Sequence, residues 1–290
     1  MKIYLNEPTS NILVNYINKN HVLTKDLYEA DIAISRNKTI DKEEIDKCRN
    51  LKLIAVHGTG YNMIDIDYAK SKNIIVFNTP NLNTNAVAEL NIMFALMLAR
   101  NYEAAAKTPN LCDINVMGSE LENKTMGFIG AGNIAKKTAS ILNAFNVNLI
   151  GYNRTNKESI IKLYPLDYVL ENSDYIFITI ALNDETKEMI NKELFNKMNK
   201  NPYLINSSRG ALVNNDDLYE ALKNKRIKGY ASDVYNPEPI NKDNPLLKEN
   251  VIILPHIGAN TKEALDKMAN AVIKGIEEFI NGNIINNRLV

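Results

Sequence analysis

Apolar positions along this chain gather into short, nearly continuous runs separated by longer stretches with helical spacing. The runs KIYLN (2–6), DIAIS (31–35), LKLIAV (51–56) and IIVFN (74–78) make a first set. TMGFIG (125–130), VNLIGY (147–152), YIFITIAL (175–182), YLIN (203–206), GYASDV (229–234) and VIILP (251–255) make a second. Runs of this length, continuous rather than alternating, are what a strand covered on both faces of a parallel sheet requires. Between them apolar residues recur at helical spacing, as in Ile134, Thr138, Ile141, Leu142 and Phe145, or Leu218, Ala221 and Leu222. Alternation of strand and helix, run through twice, predicts an α/β fold with two parallel-sheet domains. One domain is expected over 1–99, completed by a C-terminal helix at 257–290, and the other over 100–256. Long helices, including one at 84–100, link them.

Composition narrows the classes. The 290 residues suit two medium domains, and 45% apolar content supplies both cores. A formal net charge of +0 removes the electrostatic footprint of a nucleic-acid binder. The most apolar stretch, AVAELNIMFALMLAR, is too short for a bilayer and carries Glu89 and Asn91, so no membrane partner is expected. The N-terminal MKIYLNEP reads as a strand, not a signal peptide. Cys48 and Cys112 form no CxxC pair and no disulfide framework, which points to a reducing, cytoplasmic setting. Both are expected to be buried or partly buried thiols, and no metal site is expected.

One turn carries chemistry. Gly130-Ala131-Gly132-Asn133-Ile134-Ala135 fits GxGxxG/A, after a strand and at the start of an amphipathic helix. The first glycine permits the tight turn, the second admits a pyrophosphate, and Ala135 lets helix and strand pack closely. The helix N-terminus offers free N–H groups to the phosphates. A dinucleotide-binding turn has an acidic residue about 20 residues on, which holds the ribose 2′-hydroxyl of NAD. Asn153 stands there, followed by Arg154 and Thr155. Asn153 removes the repulsion of a 2′-phosphate, Arg154 offers a fork of donors to it, and Thr155 adds a hydroxyl. NADP is therefore expected over NAD, with NAD still possible.

Five further segments extend the reading: GTGYNMIDID (58–67), NTPNLNTNAVAE (78–89), LINSSRGALVNNDDLYEAL (204–222), GYASDVYNPEP (229–239) and VIILPHIGANT (251–261). Together, and in this order, they resemble the D-isomer-specific 2-hydroxyacid dehydrogenases over nearly the whole chain. The resemblance implies two Rossmann-like or flavodoxin-like domains, the first for substrate and the second for NAD(P), with substrate held in the cleft between domains that close on it. It implies a catalytic Arg209 from N-x-x-R-G, Glu238 from D-V-x-x-x-E-P, and His256 from P-H-I-G. It places the substrate carboxylate on Thr59 and Gly60 as well as Arg209, and the nicotinamide amide on Asp233. Gly130, Gly132, Asn133, Ile134, Asn153, Arg154, Thr155, Ser207 and Ser208 complete the expected cofactor contacts. It also implies a homodimer.

The residue types suit the reaction. Histidine titrates near working pH and can give or take the proton at the carbonyl oxygen. A neighbouring carboxylate favours the imidazolium, and an arginine stabilises charge on the substrate. The partner is thus a small 2-keto or 2-hydroxy acid, with glyoxylate or hydroxypyruvate expected and D-3-phosphoglycerate as the alternative. A nucleotide-sensing, corepressor-like binding protein is a further alternative, since such proteins keep the same three residues. A 3-hydroxyacid dehydrogenase agrees only at NRT. His21 and His57 read as structural. Departures from the family pattern are Met63 in the substrate loop, IALNDET at 180–186 on the cofactor side, and a short segment between the helix at 84–100 and Gly130.

Overall fold

The structure is a computed structural model and describes residues 1–155 and 159–290. The chain divides into two compact units, Met1–Asn83 with Ala259–Val290, and Thr84–Gly258.

The first unit holds strands β1 (Lys2–Tyr4), β2 (Val22–Thr24), β3 (Ile32–Ser35), β4 (Leu53–Val56) and β5 (Ile75–Asn78). They pair in the order β2-β1-β3-β4-β5, all parallel. Its helices are α1 (Asn11–Asn20), α2 (Lys42–Lys47) and α3 (Ile66–Ser71). Capping aspartates or serine start each one: Ser10, Asp41 and Asp65 accept backbone N–H groups of the first turn. The C-terminal helix of the chain, Lys262–Ile280, completes this unit by burying Met268, Ala269, Val272 and Ile276. Ala269, Val272 and Ile276 pack with Ile3, Ile34, Leu53 and Phe77 of the sheet.

The second unit opens with α4 (Thr84–Ala99) and α5 (Tyr102–Ala105). Its strands are β6 (Thr125–Ile129), β7 (Asn148–Tyr152), β8 (Lys162–Leu163), β9 (Tyr175–Ile178), β10 (Tyr203–Asn206), β11 (Gly229–Ser232) and β12 (Val251–Ile253). Helices α6 (Asn133–Leu142), α7 (Leu166–Asn172), α8 (Lys192–Asn196) and α9 (Asn215–Lys223) lie between them. The parallel order is β12-β11-β10-β9-β6-β7-β8. Reading outward from β6, this is the doubly wound order whose direction reverses between β6 and β9. Ligands of open α/β sheets bind outside the carboxyl ends of the strands at that switch point.

Several expectations change. The helix at 84–99 belongs to the second unit, not to the expected 1–99 domain. Phe94, Ala95, Leu98 and Ala99 pack with Phe128, Phe177, Ala135 and Ala139, and buried Asn91 donates to Thr138 Oγ1 at 3.2 Å. Residues buried all round a helix need partners on more than one side, and those partners lie in this unit. On α6 the buried stripe is Ala135, Thr138, Ala139 and Leu142, so Ile134 and Ile141 sit at its margin. The run at 175–182 ends as a strand at Ile178. Strands β2 and β8 had no apolar run to mark them, because each is an exposed sheet edge. Cys112 is exposed rather than buried, in a segment without an apolar cover, while Cys48 is half-buried. Among the described residues no helix is long and apolar enough to cross a membrane.

Candidate active site

The glycine turn follows β6 at the switch point. Gly130 has φ +99°, and a Cβ there would meet the Thr179 carbonyl oxygen at 2.8 Å, so only glycine fits. A Cβ at Gly132 would meet nothing within 4 Å, so the space above the second glycine is open. Gly132 stands at the N-cap of α6, where a glycine supplies no side-chain cap of its own. Asn133 and Ile134 form that turn, exposed and half-buried respectively. An open approach over Gly132, a helix N-terminus and a glycine-only turn fit a dinucleotide pyrophosphate.

The loop after β7 is more than a plain polar loop. Asn153 Oδ1 accepts the Ala131 N–H at 3.2 Å, and Asn153 Nδ2 donates to the Thr155 carbonyl at 2.6 Å and Thr155 Oγ1 at 3.1 Å. Asn153 therefore ties the glycine turn to the loop after β7, with Thr155 accepting through its carbonyl and its Oγ1. Arg154 Nη1 lies 2.6 Å from Glu185 Oε2, in the loop after β9. Motif reading missed Glu185, because the pair is separated by 31 residues and meets only through the strand order.

Of the two serines, Ser208 donates its hydroxyl to the Ile180 carbonyl, and its N–H goes to Asn206 Oδ1 at 3.0 Å. The Ser207 hydroxyl is buried without a partner among the described residues. Fully buried Asn206 also donates to the Arg209 carbonyl at 2.9 Å, so the end of β10 holds the loop that carries Arg209. Arg209 Nη1 donates to the Ser208 carbonyl at 2.8 Å. Burial lowers the Arg209 pKa from its usual value and the nearby Glu238 carboxylate opposes this, yet a guanidinium stays charged. A Cβ on Gly210 would lie 2.2 Å from the Tyr235 carbonyl carbon, so the Arg209 loop and the loop after β11 touch through backbone.

Glu238 is fixed from both oxygens. Oε1 accepts the Tyr235 N–H at 3.0 Å, and Oε2 lies 2.9 Å from His256 Nδ1. Burial pushes the Glu238 pKa up, but the bond and charge of His256, the Tyr235 N–H and Arg209 together hold it below the usual carboxylate value. His256 sits in left-handed backbone, φ 54°, with its N–H on the Asp233 carbonyl at 2.9 Å. A non-glycine residue there stores strain of order 1 kcal/mol, which these bonds over-determine. Nε2 takes no partner among the described residues. Asp233 is buried, and its carboxylate accepts the N–H groups of Ile257 at 2.6 Å and Gly258 at 2.5 Å. Burial outweighs those bonds and pushes its pKa up to about 6. Arg209, Glu238, His256 and Asp233 thus come from the ends of β10, β11 and β12 into one cluster.

Thr59 and Gly60 lie in the first unit, in the loop after β4. Thr59 Oγ1 donates to Asn83 Oδ1 at 3.0 Å, and the Thr59 carbonyl accepts from Asn78 Nδ2 at 2.8 Å. Among the described residues the backbone N–H groups of Thr59 and Gly60 take no internal acceptor. His57, at the start of the loop, is 2% exposed and its Nε2 meets Thr9 Oγ1 at 3.0 Å.

Comparison with known proteins shows what the chain is similar to. Residues 92–258 match the family described as D-isomer specific 2-hydroxyacid dehydrogenase, NAD binding domain. A Staphylococcus epidermidis protein named "Putative 2-hydroxyacid dehydrogenase" is 40% identical over 273 residues, covering 90% of this chain and 86% of its own length. An acyclic imino acid reductase solved with NADPH and D-Arg has a TM-score of 0.89 at 28% identity, over 100% of both chains. An NAD-dependent formate dehydrogenase from Staphylococcus aureus, solved with NAD, has a TM-score of 0.89 at 29% identity, covering 100% of this chain and 99% of its own.

Proposed function

We propose, since this chain belongs to the D-isomer-specific 2-hydroxyacid dehydrogenase family, that it works as an NADPH-dependent reductase of a small 2-keto acid. The family membership makes it an NAD(P)-dependent dehydrogenase; the direction, substrate and cofactor preference are our reading. Glyoxylate or hydroxypyruvate is the proposed substrate, and the D-hydroxy acid the product. The observation that carries the reading is the 2.9 Å contact of His256 Nδ1 with Glu238 Oε2, beside a half-buried Arg209.

Each residue has a task in this scheme. Gly130, Gly132 and the first turn of α6 at Asn133 and Ile134 would hold the pyrophosphate, and Asn153, Arg154 and Thr155 would frame the ribose phosphate. Asp233, with Ser207 and Ser208, would position the nicotinamide, which supplies the hydride when bound. Glu238 holds the His256 ring through Nδ1, which turns Nε2 toward substrate, and Nε2 gives a proton to the carbonyl oxygen. Arg209 stabilises negative charge gathering on that oxygen. The N–H groups of Thr59 and Gly60 are the proposed donors to the substrate carboxylate.

The cofactor preference is supported by Asn153 in place of an acid and by Arg154 beside it. Structural neighbours solved with NADPH and with NAD are consistent with either nucleotide on this fold. A homodimer is part of the proposal. Leu111, Ile114 and Met117 are 95%, 71% and 68% exposed, an apolar group that a second subunit would cover.

The test is a panel of small 2-keto acids assayed with NADPH and with NADH. Turnover of glyoxylate or hydroxypyruvate with NADPH supports the reading. Failure to oxidise NADPH with any of them overturns it.

A further inference from the structure

Arg154, the expected anchor for a 2′-phosphate, already holds an anion. Its Nη1 stands 2.6 Å from Glu185 Oε2, with both side chains largely exposed. The position of Glu185 is built. Asn183 Oδ1 accepts the N–H groups of Glu185 and Thr186, both at 3.0 Å. Thr186 Oγ1 in turn receives the Asn183 N–H at 2.8 Å and donates to the Ala181 carbonyl at 2.8 Å. This knot fixes the backbone from which Glu185 reaches. Because β9 and β7 flank β6 in the sheet, the loops after them stand on either side of the glycine turn. The carboxylate therefore reaches the ribose end from the side opposite to Asn153.

We propose that Glu185 sets cofactor choice by competing with the 2′-phosphate of NADP for Arg154. This rests on the reading that Arg154 receives that phosphate. When NADP binds, two anions claim one guanidinium, and the phosphate must displace the carboxylate or bear its repulsion. When NAD binds, the Arg154–Glu185 pair can persist. The carboxylate can then accept the ribose 2′-hydroxyl, the task of the acidic residue missing at Asn153. The chain thus keeps an acid for NAD and a base for NADP on two loops. Its preference is the balance between them, not the fixed outcome that the loop after β7 alone implies.

The experiment measures NADPH and NADH dissociation constants by calorimetry, without substrate, for the wild type, Glu185→Gln and Arg154→Ala. An exposed ion pair of this kind has a strength that corresponds to about a threefold to fivefold change in affinity. Glu185→Gln is expected to tighten NADPH by that factor and to leave NADH unchanged or weaker, while Arg154→Ala weakens NADPH selectively. If Arg154→Ala weakens NADPH selectively but Glu185→Gln leaves the NADPH to NADH ratio unchanged, the competition is overturned and the phosphate role of Arg154 stands. If Arg154→Ala affects both nucleotides equally, the phosphate role fails and the competition fails with it.

Discussion

His256 Nδ1 lies 2.9 Å from Glu238 Oε2, and this one contact orients the ring, since the nitrogen facing the carboxylate cannot also face a substrate. Glu238 keeps a pKa below the usual carboxylate value despite partial desolvation, because His256, the Tyr235 N–H and Arg209 favour its charged form. Its charge is present above the ordinary carboxylate pKa and is lost only as pH falls through the lowered one. It therefore acts on His256 throughout the neutral range.

His256→Ala should lower turnover of a 2-keto acid by ~10²-fold or more, the scale of lost acid catalysis. Glu238→Gln should lower kcat/KM for the keto acid, since the ring loses the carboxylate that orients it, while the dissociation constant of NADPH stays near that of the wild type. Wild-type kcat/KM in Glu238→Gln would remove the carboxylate from this role.

Arg209→Lys keeps one positive charge but loses the planar fork, in a loop held by Asn206 and by the Tyr235 backbone. We expect kcat/KM for the keto acid to fall by ~10²–10³-fold, as for loss of a donor to developing charge. The dissociation constant of NADPH should stay near that of the wild type. An equal loss in nucleotide binding would make Arg209 a structural residue of the cofactor loop.

Asn153→Asp leaves an oxygen for the Ala131 N–H but removes the donor to Thr155 and adds a charge at the ribose end. The KM for NADPH should rise at least about tenfold, since like charges placed together are costly, while that for NADH holds or falls. Steady-state kinetics with both nucleotides decides this.

Gly210→Ala tests the contact between the two loops. A methyl would fall 2.2 Å from the Tyr235 carbonyl carbon, where backbone must shift to admit it. Overpacking of this kind costs about 1–3 kcal/mol. Urea unfolding should show that loss, accompanied by a drop in kcat as Arg209 and Glu238 separate.

His57 is buried, and burial followed by the charge of Arg36 lowers its pKa to about 4 from an ordinary 6.5. The folded state resists the proton that the unfolded chain accepts. This stabilisation is present above the unfolded pKa and is lost as pH falls from about 6.5 to about 4, amounting to roughly 3 kcal/mol. His57→Gln should lose less stability than the wild type between pH 7 and pH 4 in urea unfolding. Parallel pH dependences would show that His57 is not the titrating group.

Local chemistry carried much of this protein in its sequence. Continuous apolar runs placed ten of the strands, because a strand buried on both faces has no polar alternation to confuse it. The glycine turn was legible because φ +99° at Gly130 admits little else. Arg209, Glu238 and His256 were legible through motifs at strand ends, where an open sheet gathers its ligands.

Contacts distant in sequence were decided only by the fold. Strands β2 and β8 are held by pairing rather than by apolar content. Helix α4 is apolar all round, so its sequence could not say which unit would cover it; packing on α6, β10 and β11 did. Asn153 looked like the absence of an acid, and the fold made it the tie between two loops. Arg154 looked like a free base, and the fold set Glu185 against it across the switch point. A residue's type and local turn are properties of a few neighbours in the chain. Which charge faces which is a property of strand order, and strand order exists only once the sheet has formed.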